Sequence, residues 1–234
     1  MSNLPEAFYA PWAPPAVPDA IPQGDMPGDS IHIGQDHTRK ANVVFPALLR
    51  LLPPVLEANP HRRAVVAVCG GSGVGKSETA SLLAYYFRQA GVGAYTLSGD
   101  NYPRRIPLYN DAERLGIFRH AGMRGLAQSG LYTPQRGDTA RALQRAGLDA
   151  DPAVIAEHPW MATYQREGRA ALAAYLGSPA EIDFDELNGI AAQFKSGADA
   201  VCLKRMGRAG TELWYERVDF RGVGILLIEW THGN

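Results

Sequence analysis

The most informative stretch of the chain runs from Ala64 to Ser77 and reads AVVAVCGGSGVGKS. Its first part, Ala64–Cys69, is a continuous apolar run, which is typical of a strand buried on both faces of a parallel sheet. A helix is predicted over Lys76–Gln89, with apolar residues at helical spacing and Gly91 as its stop. Residues 94–98 predict a second strand. Strand, helix and strand in this order form a βαβ unit, which should be right-handed.

The loop between strand and helix matches G-x-x-x-x-G-K-[ST] in full and in the required context. Its glycines let successive backbone N–H groups turn toward anionic oxygens, and the helix N-terminus adds its positive end. Lys76 is expected to contact the β- and γ-phosphates of a nucleoside triphosphate, and the Ser77 hydroxyl to hold Mg²⁺. The predicted cofactor-binding residues are Gly70, Gly71, Ser72, Gly73, Val74, Gly75, Lys76, Ser77 and Glu78. The loop alone does not separate a kinase from a GTPase, an ATPase motor or a nucleotide-dependent switch.

Carboxylates follow two further predicted strands. Asp100 lies just beyond the second strand, and Glu229 ends the apolar run of residues 223–228. Because the carboxyl ends of parallel strands line one crevice, Asp100 is expected to take a proton from an attacking hydroxyl. Glu229 is expected to serve as a ligand of Mg²⁺ or water. The alternatives are a plain turn at Asp100 and a solvated strand end at Glu229. His232 is expected near the rim of the crevice.

Three residues near Asp100 are candidates for contact with the acceptor. Arg104 and Arg105 have the charge to hold a phosphorylated or acidic acceptor. Tyr102 either stacks on a ring of the acceptor or packs internally. The sequence therefore predicts a small-molecule hydroxyl acceptor close to these three side chains.

The remaining sequence suggests an arm, a domain and an insertion. Residues 1–28 contain seven prolines and predict an extended arm that is disordered or draped on the surface, with a proline-rich ligand as the alternative. Residues 29–234 are predicted to form the nucleotide-binding domain. Within it, residues 31–33 predict a short strand, and residues 42–59 a helix that Pro53 and Pro54 should kink or break.

Residues 103–218 are predicted to be a mostly helical insertion that binds the acceptor, because it leaves the sheet where open α/β sheets bind ligands. Helices are predicted over residues 111–119, 139–146, 152–176 and 183–194. Residues 200–206 and 211–218 predict a β-hairpin. The fold class is thus α/β, with three layers and a mainly parallel sheet.

Composition excludes several classes of protein. The 234 residues are 46% hydrophobic and carry 23 basic and 24 acidic side chains, for a formal charge of −1. This near-neutral balance disfavours a strongly basic nucleic-acid binder. Two cysteines are too few for a disulfide scaffold or a zinc site, and no secretory signal or continuous apolar stretch of membrane-spanning length is visible. A soluble cytoplasmic protein without a membrane partner is expected. The basic residues include just four lysines, Lys40, Lys76, Lys195 and Lys204.

Three elements together resemble the uridine kinase, phosphoribulokinase and bacterial pantothenate kinase group of P-loop kinases. They are the loop of residues 70–77, Asp100-Asn101-Tyr102, and Ile228-Glu229 at the end of the third strand. The resemblance implies that Mg-ATP donates its γ-phosphoryl group to a hydroxyl of a small molecule, with Asp100 as base and Glu229 assisting at the metal. Trp230 stands where the group usually has glycine.

A second resemblance leaves alternatives open. Residues 97–101, LSGDN, are similar to the Asp-Gly-Asp-Asn element of adenylyl-sulfate kinases, with Ser98 in place of the first Asp. Adenylyl-sulfate kinase activity is therefore one alternative. Another is a non-catalytic nucleotide-binding module with a regulatory role, or a truncated kinase fragment.

The first resemblance implies a five-stranded sheet in the order 2-3-1-4-5 and a lid that carries arginines. The chain ends after its third predicted strand, so the C-terminal strands and the lid are expected to be absent. In that order Ala64–Cys69 would be a sheet edge, which conflicts with its buried pattern. Either the sequence is a fragment, or residues 31–33, the helix of residues 42–59 or a second subunit covers that edge. A homo-oligomer is one expectation.

Overall fold

The computed structural model describes residues 4–207 and 210–231, so His232 lies outside the described residues. The chain divides into two compact units. One comprises Met1–Pro107 together with Ile182–Asn234, and the other Leu108–Glu181. The predicted boundaries of the insertion, 103–218, are wider than the second unit, and its acceptor-binding role stays a prediction.

Helices and strands alternate in the first unit, whereas the second is helical. The elements in chain order are α1 (Gln35–Ala58), β1 (Ala64–Cys69), α2 (Lys76–Gln89), β2 (Gly93–Ser98), α3 (Pro107–Gln128), α4 (Pro134–Ala146), α5 (Val154–Glu157), α6 (Met161–Tyr175), α7 (Phe184–Lys195), β3 (Ala200–Met206), β4 (Leu213–Asp219) and β5 (Val223–Trp230). Short 3₁₀ helices cover Glu6–Phe8 and Gly99–Asn101.

The central sheet of the first unit has the strand order β1-β5-β2, and both pairings are parallel. The order agrees with the first three strands of the 2-3-1-4-5 arrangement. The register places Glu229 of β5 opposite Val68 of β1 and Ser98 of β2. The carboxyl ends of all three strands therefore meet at one edge of the sheet.

Apolar side chains of β5 alternate between two cores, one on each face of the sheet. Ile225 and Leu227 belong to the core formed with α1 and α2. Leu226 belongs to the core formed with α7 and the hairpin of β3 and β4, where Phe194 and Phe220 meet edge to face. The first unit is thus layered, with helices on one face of the sheet and a helix and a hairpin on the other. The predicted hairpin is confirmed.

Burial identifies β5, not β1, as the central strand. Only Ala64 of β1 is buried, and Ala67 is exposed. The prediction that Ala64–Cys69 is buried on both faces is therefore wrong. Its apolar composition is compatible with an edge position because small side chains expose little apolar surface each.

The other edge of the sheet is covered by the proline-rich arm. The Ser98 N–H donates to Asp25 Oδ1 at 2.6 Å, and a Cβ on Gly24 would lie 3.4 Å from Thr96 Cγ2. Residues 24 and 25 thus follow the edge of β2. The arm is further held by Phe8, which is buried, and by Trp12, whose ring centroid lies 4.4 Å from that of Phe45.

Helix α1 differs from its prediction. No strand forms at residues 31–33, and the helix begins at Gln35 and continues through Pro46, Pro53 and Pro54. The predicted break is wrong because the helix buries Phe45 and four other apolar residues along one face, mainly against α2. This burial offsets the backbone hydrogen bonds that the prolines remove.

Within the described residues, α1 also has the length and composition of a membrane-crossing helix. A helix in the core of a soluble protein can have the same length and composition. The buried face of α1 is part of the core described above.

The second unit has its own small core of Phe118, Leu126, Met161 and Tyr164. Residues 152–176 were predicted to form one helix but form two, α5 and α6. The helices are separated by residues 158–160, which include Pro159, a residue without a backbone N–H to continue a helix. Buried Asp149 accepts hydrogen bonds from Arg119 and Tyr164 at this core.

Candidate functional site

The glycine loop joins β1 to α2 with two glycines in the left-handed region. Gly73 has φ +75° and Gly75, the N-cap of α2, has φ +83°. L-residues with a side chain adopt these angles rarely, so glycine is required at both positions. Ser72 and Val74 are exposed on the loop, and Glu78 lies in the first turn of α2.

Lys76 is held across the loop. Its side chain is largely buried, and its Nζ donates to the Gly71 carbonyl at 2.9 Å. The Thr79 hydroxyl donates to the Gly75 carbonyl at 2.7 Å and ties the loop to the first turn of α2. The loop therefore carries an ammonium group and a helix N-terminus at the same place, which is the arrangement that favours phosphate oxygens.

Glu229 is a buried carboxylate beside this loop. The Ser98 hydroxyl donates to its Oε2 at 3.4 Å, and the Ser77 hydroxyl also hydrogen-bonds it. Burial, and next the negative charge of Asp100, raise the pKa of Glu229 to about 7. The Lys76 charge and the two serine hydroxyls act in the opposite direction. A carboxyl with this pKa changes protonation near neutral pH.

Asp100 lies in the 3₁₀ turn Gly99–Asn101 after β2 and is exposed. The negative charge of Asp100, the positive charge of Lys76 and a hydrogen bond from the Ser77 hydroxyl all act on the pKa of Glu229. The structure thus brings together the four side chains that the sequence assigned to phosphate, metal and proton transfer.

The three predicted acceptor residues lie in different surroundings. Tyr102 is fully buried in the core formed with α7 and the hairpin of β3 and β4, and Lys204 Nζ lies 5.1 Å from its ring centroid. Burial raises the pKa of Tyr102. Arg104 pairs with Asp183 at 3.4 Å and Asp185 at 3.6 Å, and Arg105 is half-buried. Tyr102 therefore packs internally, and contacts of the two arginines with an acceptor stay a prediction.

Trp230 follows Glu229 and covers Gly99. A Cβ on Gly99 would lie 2.8 Å from Trp230 Cγ, so this close approach requires glycine. The ring of Trp230 also contacts Phe184, with centroids 5.1 Å apart. An aromatic side chain thus packs against the residue that precedes Asp100.

Sequence reasoning missed a buried ion pair at the carboxyl end of β2. Asp25 Oδ2 lies 2.9 Å from Arg205 Nη1, and Tyr95 donates its hydroxyl to the same carboxylate at 3.0 Å. Arg205 also pairs with Glu216 at 3.0 Å. No pattern in the arm singled out Asp25, since an acid between glycine and methionine is ordinary in a polar segment.

The residues present are of the kinds that can bind a nucleotide together with Mg²⁺. Ser77 and Glu229 offer hydroxyl and carboxylate oxygens, which are the donors that Mg²⁺ accepts, and Mg²⁺ usually fills its other positions with water and phosphate oxygens. A Cβ at Gly71 or Gly73 would meet nothing within 4 Å, so the backbone there is accessible on that side.

No family model matches the chain, and no solved structure matches it. A curated relative, the bifunctional alpha-galactosidase/sucrose kinase AgaSK of Mediterraneibacter gnavus, is 36% identical over 178 residues. The match covers 76% of this chain and 14% of the relative, so the chain spans a small part of that protein's length.

Proposed function

We propose that the chain is an ATP-dependent phosphotransferase that moves the γ-phosphoryl group of Mg-ATP to a hydroxyl of a small molecule. The observation that carries the proposal is the juxtaposition of the glycine loop and Lys76 with Ser77, Asp100 and Glu229. The similarity to a protein named as a sucrose kinase supports the same reaction class.

Each side chain has a role that follows from its surroundings. Lys76 and the loop N–H groups hold the phosphates and offset the charge that develops on them. Ser77 and Glu229 would hold Mg²⁺, which would supply positive charge to offset that of the phosphates. Asp100, exposed and close enough to Glu229 for its charge to raise the pKa of that carboxyl, accepts the proton of the attacking hydroxyl. Catalysis rests mostly on positioning and electrostatics.

We further propose a sugar as the acceptor, because the relative is named as a sucrose kinase. The resemblance to the uridine kinase group leaves nucleosides and pantothenate-like alcohols as alternatives, and the LSGDN element leaves adenylyl sulfate. These acceptors share a hydroxyl as the nucleophile and differ in the groups around it.

The test is ATP consumption by the full chain with sucrose, monosaccharides, nucleosides, pantothenate and adenylyl sulfate as acceptors. Turnover with one class is expected, and Asp100→Asn should reduce it by about 100-fold or more while nucleotide binding persists. Lys76→Ala should weaken ATP binding, and Asp19→Asn, an exposed aspartate of the arm, should change neither property. Tight ATP binding without turnover on any acceptor would favour a non-catalytic module.

A further inference from the structure

A lysine outside the loop contacts it from a different element. Lys40, in the second turn of α1, donates from Nζ to the Val74 carbonyl at 2.9 Å, across 34 positions of sequence. Lys40 is one of four lysines in the chain. Together with Lys76, which donates to Gly71, it places two ammonium groups on carbonyls of the same loop.

The contacted carbonyl belongs to the peptide unit whose N–H is that of Gly75. In a trans peptide, carbonyl and N–H point in opposite directions. An ammonium group on the carbonyl side therefore leaves the Gly75 N–H directed away from Lys40. Hydrogen bonding to one end of a peptide unit polarises it and strengthens the donor at the other end.

A second side chain of α1 lies against the same peptide. His37 accepts at Nδ1 from the Gly34 N–H at 3.1 Å, and a Cβ on Gly75 would lie 2.6 Å from His37 Nε2. Gly75 is thus required by its φ of +83° and by the imidazole that occupies the space of a side chain. The first two turns of α1 hold the Val74–Gly75 peptide from outside the motif.

We propose that Lys40 is a positioning residue for the phosphates of the nucleotide and acts through the Val74–Gly75 peptide. The inference rests on the proposed function, because it assumes that the loop binds a nucleoside triphosphate. Lys40 orients the Gly75 N–H toward the phosphates, strengthens it as a donor and adds positive charge to the loop.

The experiment measures binding of Mg-ATP to the full chain by calorimetry for the wild type and four variants. The variants are Lys40→Met, Lys40→Arg, Lys76→Ala and Lys195→Met, the last being a charge-matched control on an exposed lysine at the end of α7. Lys40→Met should raise the Kd for ATP about 5- to 10-fold, which corresponds to the loss of one hydrogen bond of ordinary strength. Lys40→Arg should stay within about twofold of the wild type because it keeps the donor and the charge.

Two further readouts separate positioning from a structural role. The melting temperature without nucleotide should not change in Lys40→Met, since the side chain is exposed. With an active acceptor, the KM for ATP should rise while the KM for the acceptor stays constant.

The outcomes distinguish the two proposals. If Lys76→Ala loses ATP and Lys40→Met binds like the wild type, this inference is wrong and the proposed function stands. An equal loss in Lys195→Met would also overturn the inference, because net charge alone would explain it. If the wild type binds no ATP, the proposed function fails and the role of Lys40 fails with it.

Discussion

The two edge strands of the central sheet, β2 and β1, have different surroundings. At the edge of β2, Asp25 of the arm accepts the Ser98 N–H and pairs with buried Arg205. At the edge of β1, no strand is paired within residues 4–207 and 210–231, and an open groove of about 480 Å³ runs beside Val66 and Val68. One edge is thus closed by charge and hydrogen bonds, and the other consists of small apolar side chains.

The comparison shows that the composition of a strand does not reveal its place in a sheet. β1 is the more uniformly apolar strand, yet β5, which contains Gly224 and Glu229, is the one buried on both faces. The polar connection lies on the strand that leads to Asp100. The edge of β1, in contrast, adjoins the glycine loop.

Asp25→Asn tests the closed edge. The substitution removes one carboxylate partner from Arg205, which is 3% exposed, and breaking a buried pair costs about 3 kcal/mol or more. The urea midpoint should fall accordingly, while Asp19→Asn should stay within about 0.5 kcal/mol of the wild type. An unchanged midpoint for Asp25→Asn would show that the arm does not hold β2.

The pH dependence of stability tests the burial of Glu229 on β5, the strand between the two edges. The pKa of Glu229 is raised to about 7 from 4.5, so the folded state binds this proton more tightly than the unfolded state. Its contribution to stability is largest below pH 4.5, declines as the pH rises, and costs about 3 kcal/mol above pH 7. Urea denaturation between pH 5 and 8, without divalent cations, should show this decline.

Glu229→Gln is the matched variant for that measurement. It should flatten the pH dependence of stability and be more stable than the wild type at pH 8, because a neutral amide avoids the buried charge. Identical pH profiles for the two proteins would mean that Glu229 is ionised at an ordinary pKa.

Ala67→Lys tests the open edge and has the smallest expected effect. Ala67 is exposed on β1, so a lysine there should change stability by no more than about 0.5 kcal/mol. The same change at buried Ala94 of β2 should cost several times more, because it places a charge in the core. A lysine on an edge strand also opposes edge-to-edge pairing, so any self-association of the wild type should decrease. A large destabilisation by Ala67→Lys would mean that this edge is covered.

Much of the site was predictable because its signals are local. The loop from Gly70 to Ser77 and the helix after it follow from motif and spacing, and α2 begins and ends where predicted. Asp100 and Glu229 were predicted from their positions at strand ends. Their convergence depends only on the rule that parallel strands share a carboxyl edge.

Residues whose roles depend on distant partners were not predictable in the same way. Lys40 and Asp25 contact positions 34 and 73 residues away, and neither lies in a recognisable pattern. Tyr102 was equally compatible with a ligand and with the core until its burial was known. The prolines of α1 predicted a break that its packing against α2 overrides.

By itself, the amino-acid order determined an α/β chain with a glycine loop between a strand and a helix, since glycine conformations, helix starts and apolar periodicity act over a few residues. The tertiary structure alone decided that β5 is central, that the arm closes one edge, and that burial among Asp100, Lys76 and two serines sets the pKa of Glu229. Those outcomes depend on which segments exclude water from one another, a property of the whole fold that no local pattern encodes.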